Sequence, residues 1–452
     1  MEKFFNPKSI AIIGASRDHH KVGFVILKNL RDAGYKGKIY PVNPKAKVIL
    51  NEKSYPSVLN IKETVDMAVI AVPAGIALQS LEECGKKKIQ HVVMITAGFS
   101  EIGDHKAEEQ LKKTVKKYNM QLIGPNCLGL LNNHAEVDTL FLPASRLVRP
   151  KNGKISFITQ SGATGSTVLD LMAKENYGFA KFVSYGNATD VNEADLIEYL
   201  GNDPQTQVIC VYAESIKDGK KFLRVCQQVT KKKPIIALKG GTTNAGAKAA
   251  LSHTASLAGS FEVFKGAMRQ AGVIIAETLE DLFNYAKILE KSFAPKGKNV
   301  QIITNGGGFG ILAADYLSKM RLTVGEPSAE TIKKLKKQFP PTYIVKNPID
   351  LTGSAYSADY EKALDAIMKD PNVHMILLIV LYQTPQLDTN VVDIIIRHNK
   401  TKKKPIAVIS MGGDFTQKYK NILERHQIPC FTYPNNAAMA LKVLAEYHLV
   451  KD

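Results

Sequence analysis

Cysteine is scarce in this sequence and never closely paired. Cys84, Cys127, Cys210, Cys226 and Cys430 lie far apart with no CxxC spacing, which excludes a disulfide framework and a cysteine zinc site and fits a reducing compartment. No uninterrupted apolar run approaches the roughly 20 residues of a spanning helix, so no membrane partner is expected. The opening MEKFFNPKSIAIIGAS breaks its apolar residues with Lys and Asn and predicts no secretory signal; the expectation is a cytoplasmic protein. Tryptophan is absent and no aromatics interleave with the lysine runs, so the stacking platform of a nucleic-acid surface is missing. The chain also lacks a Walker GxxxxGK[ST] sequence and, in its first turn, a dinucleotide GxGxxG.

What is present is an ordinary soluble composition with an excess of base. Apolar residues make up 45% and charged residues 23% of 452 positions, a chain too long for one core and sized for roughly three domains. The net charge is +18, with lysines gathered in short runs such as Lys86–Lys88, Lys231–Lys233 and Lys402–Lys404. These runs lie on helical patterns or just after them and read as solvated helix faces and ends. Their field would also concentrate anionic small molecules.

Residues 8–126 alternate short Ile/Val-rich runs with amphipathic stretches: SIAIIGAS, VGFVILKNLRDAG, KIYPVNP, DMAVIAVPA, ALQSLEECGKKK, HVVMITAGF and MQLIGPNCLG. That order predicts a parallel sheet covered on both faces, a Rossmann-like domain over 1–130 whose ligand lies at the carboxyl ends of the strands. The first turn, Gly14-Ala15-Ser16, opens a helix and can hold phosphate on backbone N–H groups. The second strand ends Val42-Asn43-Pro44-Lys45, with lysine where a NAD site needs an acid for the ribose hydroxyls. A lysine there favours an extra phosphate. NADP and coenzyme A both carry one, and the residues alone leave both open. A linker over 131–153, marked by Pro143, Pro150 and Gly153, ends the domain.

Two further domains, 154–290 and 299–452, read as copies of one plan. ISFITQSGATGSTVLDLMAKENYG parallels VQIITNGGGFGILAADYLSKMRL. Asp190 then pairs with Asp350, Asp203-Pro204 with Asp370-Pro371, and KKKPIIALKGG with KKKPIAVISMGG. This repetition predicts two flavodoxin-like, doubly wound domains. Only the first copy carries a histidine in its late loop, His253 within GGTTNAGAKAALSHTASLAG. That run of small residues buries little and tolerates backbone angles that others avoid. A neutral imidazole is a competent nucleophile at pH 7, although one of ten histidines in a Gly/Ala loop is by itself an ordinary surface residue. The second copy has Met411-Gly412-Gly413-Asp414 there and is expected to be structural or an interface. In the first copy Gln160-Ser161-Gly162-Ala163-Thr164 opens a helix and offers hydroxyl and N–H donors to a phosphate. Glu214 ends a strand, where a carboxylate either orients a histidine tautomer or is simply solvated.

In this order, GAS with KVG, VNPK, AVPA, ITAGFSE and GPNCLG resemble the CoA-binding domain of the succinyl-CoA synthetase superfamily. The pattern is that of the α subunit of the NDP-forming acyl-CoA synthetases, the ADP-forming acetyl-CoA synthetases, and it covers nearly the whole chain. The resemblance decides for coenzyme A. It implies that residues Gly14, Ala15, Ser16, Lys21, Val42, Asn43, Lys45, Val72, Pro73, Thr96 and Ala97 lie along the CoA, with Asn126 and Cys127 near its thiol end. It implies that His253 is phosphorylated, that Glu214 orients it, and that Ser161, Gly162 and Ala163 hold the phosphate. The implied reaction is acyl-CoA + phosphate + ADP ⇌ acid + CoA + ATP, through an acyl phosphate and a phosphohistidine. With no ATP-grasp segment in the chain, ADP/ATP and Mg²⁺ are expected on a separate ATP-grasp β subunit, in an α2β2 heterotetramer, and no metal is expected on this chain. A CoA- or acyl-CoA-sensing regulator without catalysis and an NADP-dependent oxidoreductase are the competing readings. The joint presence of His253 and Glu214 counts against the first, and the form of the first glycine turn against the second.

Overall fold

Each of the three Ile/Val-rich stretches builds its own sheet in this computed structural model, which describes residues 1–246, 248 and 261–449. The first begins with β1 (Ser9–Ile13) and β2 (Lys38–Val42), followed by a small hairpin of β3 (Val48–Ile49) and β4 (Glu52–Lys53). It continues with β5 (Met67–Ile70), β6 (His91–Met94) and β7 (Gln121–Ile123), parallel in the order β2-β1-β5-β6-β7. Every residue of β1 and β5 is buried, which is why these strands read as continuous rather than alternating apolar runs.

The second sheet contains β8 (Gly129–Asn132), β9 (Val137–Asp138), β10 (Lys151–Thr159), β11 (Gly178–Ser184), β12 (Val208–Ala213), β13 (Ile235–Lys239) and β14 (Ile274–Ala276). Its order is β14-β13-β12-β10-β11-β8-β9. The third contains β15 (Val300–Thr304), β16 (Ile344–Val345), β17 (Ile349–Asp350), β18 (Met375–Ile379), β19 (Ile406–Ile409) and β20 (Cys430–Phe431), in the order β16-β17-β15-β18-β19-β20. Taken by order of appearance, the parallel strands of all three sheets follow the doubly wound order 2-1-3-4-5. Each sheet therefore has a switch point between its first and third strands, where the loops diverge and leave a crevice.

The segment expected to be a linker is partly sheet. β8 runs antiparallel to β11, β9 antiparallel to β8, and β10 begins at Lys151. Strands this short leave no periodic trace in sequence. The chain divides by contacts into two compact units, Met1–Glu277 and a second from Thr278 onward. The helix Leu279–Lys291 thus lies with the second unit, although the sequence places it within the first flavodoxin-like copy, 154–290. Its burial explains the placement: Lys287 pairs with Glu424 at 2.7 Å and donates to the Cys430 carbonyl, while Glu280 accepts from Asn436.

The repeated landmarks make the same contact in both copies. Lys233 donates to the carbonyls of Leu200, at 2.9 Å, and of Asp203, and Lys404 donates to the Asp370 carbonyl. Each lysine run thus supplies an ammonium to carbonyls at or just beyond the end of a helix. The Asp203 carboxylate is also fixed, by Lys181 at 2.7 Å, with side-chain exposures of 1% and 6%. Removing one partner of such a pair leaves a buried charge. Lys181→Met should therefore destabilise the first unit by about 3 kcal/mol, read as a lower urea midpoint; an unchanged midpoint would show that Asp203 is satisfied by Thr206 and the backbone alone.

Candidate active site

The site grows out of the ends of β1 and β5. Gly14 follows β1 with φ +96° and leaves no room for a side chain, since an added Cβ would overlap the Ala71 carbonyl. Gly23 lies equally close to the Gly14 carbonyl, so the helix Val22–Asp32 presses its first turn onto the loop. Its N-cap, Lys21, provides no side-chain acceptor, leaving the first N–H groups of the helix available to an anion. The Asn43 amide donates to the Ala15 carbonyl at 2.7 Å, and its oxygen accepts from the Lys45 N–H at 2.8 Å. The Thr96 hydroxyl donates to the Val72 carbonyl at 2.7 Å.

The same geometry recurs at the switch point of the second sheet. Gln160, beyond β10, accepts the N–H groups of Glu214 and Ser215 at 2.9 and 3.0 Å, locking the two loops together. Ser161 caps the helix Gly162–Lys174 by accepting from the Thr164 N–H. Around Glu214 lie groups that the sequence did not single out. Tyr212 lies beside Glu214, and burial together with the Glu214 charge raises the pKa of its hydroxyl. Lys239 is 8% exposed and donates to the carbonyls of Glu214 and Gly240 at 2.6 and 2.5 Å. Burial lowers its pKa, and Glu214 opposes that shift.

One cavity of about 1130 Å³ joins the two switch points. It is lined by Gly14, Ala15, Ser16, Lys21, Val42, Asn43, Val72, Pro73, Thr96, Ala97, Asn126 and Cys127 from the first sheet's loops, and by Ser161, Gly162, Ala163 and Glu214 from the second's. Of the residues inferred from sequence, Lys45 is exposed and not part of this lining, and His253 lies outside the described residues. The wall also includes Glu101 and Asn187, which sequence reasoning missed. Glu101 accepts from the Gly98 and Phe99 N–H groups and from Asn187 at 2.6 Å. Burial works against its charge, but these donors hold its pKa below the usual carboxylate value.

The second copy fills its own switch point. Thr159 pairs with Tyr212, and Thr304 with Ile379, so Leu381 stands where the first copy has Glu214. Asn305 takes the place of Gln160, accepting from the Leu381 N–H at 2.9 Å. The Leu381 side chain lies over Gly306, and an Asp350 oxygen would be 2.6 Å from a Cβ on Gly307. An internal carboxylate thus lies beside the first turn of the helix whose counterpart in the first copy faces the cavity.

Comparison with known proteins matches all three regions to one group. Residues 8–133 match a CoA binding domain, 152–289 a succinyl-CoA ligase like flavodoxin domain, and 300–451 a ligase-CoA domain. The acetate–CoA ligase [ADP-forming] II subunit alpha of Pyrococcus furiosus is 40% identical over 99% of this chain and 97% of its own. This chain belongs to the ADP-forming acetate–CoA ligase family. The acetate–CoA ligase [ADP-forming] of Methanocaldococcus jannaschii is 41% identical over 98% of this chain, but only 63% of that protein is matched. Among solved structures, the dinucleotide forming acetyl-coenzyme A synthetase 1 of Ca. Korarchaeum cryptofilum, in complex with phosphate and ADP, has a TM-score of 0.93 at 36% identity, covering 99% of this chain and 96% of that one.

Within this ligase fold the Cys127 thiol is buried and engaged by the protein. Its thiol donates to the Met94 carbonyl, and burial pushes its pKa up to about 12. Because the thiolate is the reactive form, Cys127 should resist iodoacetamide in the native protein at pH 8 and react after unfolding in urea, as peptide mass mapping would report. Native labelling at the rate of a free thiol would contradict this burial.

Proposed function

We propose that this chain is the catalytic α subunit of an ADP-forming acyl-CoA ligase, interconverting acyl-CoA, phosphate and ADP with the free acid, CoA and ATP. The observation that carries the reading is the single cavity onto which a CoA-type phosphate turn, a second anion-accepting helix N-terminus and Glu214 all open. CoA lies along the Gly14–Ser16 turn, Asn43 and the Val72-Pro73 and Thr96-Ala97 loops, with Lys21 and the adjoining helix N-terminus balancing its phosphates. Lys45, exposed at the rim, meets the ribose phosphate. The thiol end reaches Asn126 and Cys127, beside Ser161.

Phosphate held at Ser161, Gly162 and Ala163 attacks the thioester carbonyl. The C–S bond breaks, the thiolate of CoA leaves and takes up a proton, and an acyl phosphate remains. A ring nitrogen of His253 then attacks phosphorus, the carboxylate departs, and the phosphoryl group passes from the imidazole to ADP. Glu214, held by the locked backbone around it, orients the ring and balances the charge it acquires. Mg²⁺ accompanies the nucleotide and neutralises its phosphates.

The nucleotide is bound by a second, ATP-grasp chain in an α2β2 assembly in the cytoplasm. Supporting this, the Pyrococcus relative is named as a subunit, and a further third of the Methanocaldococcus protein has no counterpart here. A CoA-sensing regulator gains no support from relatives that are named as ligases.

The test is the phosphoryl-enzyme itself. Co-expressed with its partner and given ATP and Mg²⁺, the wild-type chain should gain one acid-labile phosphate by intact mass, and His253→Ala should gain none. If the wild-type chain stays unphosphorylated while still binding CoA, it is a binding module and the mechanism fails. Glu214→Gln should retain CoA affinity but slow phosphoryl transfer by roughly two orders of magnitude or more, measured by rapid quench. An unchanged rate would remove Glu214 from the transfer step.

A further inference from the structure

Beside the phosphate turn the cavity has a wall of a different character. Leu128 follows Cys127, and its Cβ lies 3.6 Å from where a Cβ on Gly162 would stand. Phe141 is joined to it, its N–H donating to the Leu128 carbonyl at 3.3 Å. Phe141, Leu142, Leu128 and Ala163 all line the cavity.

The strip is anchored from both sides. Asn29, 3% exposed, donates to the carbonyls of Leu140 and Leu142 at 2.7 and 3.0 Å. Arg149 donates to the Leu142 carbonyl at 2.8 Å while pairing with Asp138 at 2.7 Å. That guanidinium is therefore already engaged and is not among the cavity-lining residues. The lysines that do line the cavity, Lys21 and Lys217, belong to the CoA helix and to the loop after Glu214, not to this strip.

We infer that Leu128, Phe141 and Leu142 form the acyl-binding wall and select monocarboxylic acids with an apolar chain, with Phe141 limiting the chain's bulk. This inference rests on the reaction proposed above, which requires the thioester carbonyl to reach the phosphate at Ser161 and Gly162. The chain beyond that carbonyl then meets apolar side chains and an anchored backbone. A second carboxylate would be desolvated there without a partner. An apolar substituent instead gains burial, and each methylene is worth an order of magnitude or more in discrimination.

The experiment compares kcat/KM for acetyl-, isobutyryl-, phenylacetyl- and succinyl-CoA in the complete complex, for the wild type, Phe141→Ala and Leu142→Ala. ATP-dependent phosphorylation of the chain, which involves no acyl group, serves as the control for folding and for the reaction itself. Wild type should use isobutyryl-CoA at least 100-fold better than succinyl-CoA. Phe141→Ala should raise the phenylacetyl-to-acetyl ratio by tenfold or more at undiminished phosphorylation, and Leu142→Ala should shift it in the same direction. Succinyl-CoA used as well as isobutyryl-CoA, or an unchanged ratio in both variants with phosphorylation intact, would overturn the inference and leave the reaction standing. Loss of phosphorylation from the wild type would instead remove the reaction on which it rests.

Discussion

The site depends on how the first sheet is tied to the loop between β11 and the helix Glu193–Asn202. Backbone N–H groups of Asn187, Thr189 and Val191 donate to the carbonyls of Pro125, Gly124 and Leu122 at 3.0, 3.2 and 3.1 Å, and the Asp190 carboxylate accepts from the Leu122 N–H at 2.9 Å. Gly186, at φ +54°, lies so close to the Pro125 and Asn126 carbonyls that no side chain would fit. Several backbone bonds along one turn fix its position against the strand end and satisfy groups that would otherwise be buried unpaired. It sets the carboxyl ends of two separate sheets against each other, and the cavity is the space that this docking leaves.

The strands and glycine turns were legible because fully buried parallel strands write themselves as unbroken apolar runs, and the doubly wound order places ligand loops at known ends of them. The repetition of 154–290 in 299–452 was legible for a related reason: a buried lysine closing a helix end requires the same residues in both copies. What stayed hidden is tertiary. β8 and β9 are too short for any period, and the helix Leu279–Lys291 chose its neighbours by burial rather than by sequence adjacency. Lys239 looked like any residue after a strand, and nothing in ITAGFSE announces that Glu101 will meet Asn187. Chemistry and resemblance both point to Lys45 as a CoA contact, and the structure leaves it exposed and outside the cavity lining.

The two flavodoxin-like copies show how one scaffold separates function from folding. Both keep an amide beyond the first strand to lock the third-strand loop, as Gln160 and Asn305 do, and both keep the lysine at the helix end. At the switch point they differ in Glu214 against Leu381, and at the helix N-terminus, which faces the cavity at Gly162 but lies beside Asp350 at Gly307. An apolar side chain and an internal acid stand where the first copy presents a carboxylate and an open helix end to the cavity. The stabilising contacts are shared between the copies, and the polar site is not.

The hydrogen bonds from Lys239 to the Glu214 and Gly240 carbonyls have a further meaning as the root of a tether. They pin the chain at the edge of the cavity, so whatever path it follows afterwards starts from a fixed point. The contour from Gly240 to His253 is at most roughly 45 Å, so in the phosphoryl transfer proposed above the nucleotide would have to come within that distance of the root, a limit written into the length of one segment.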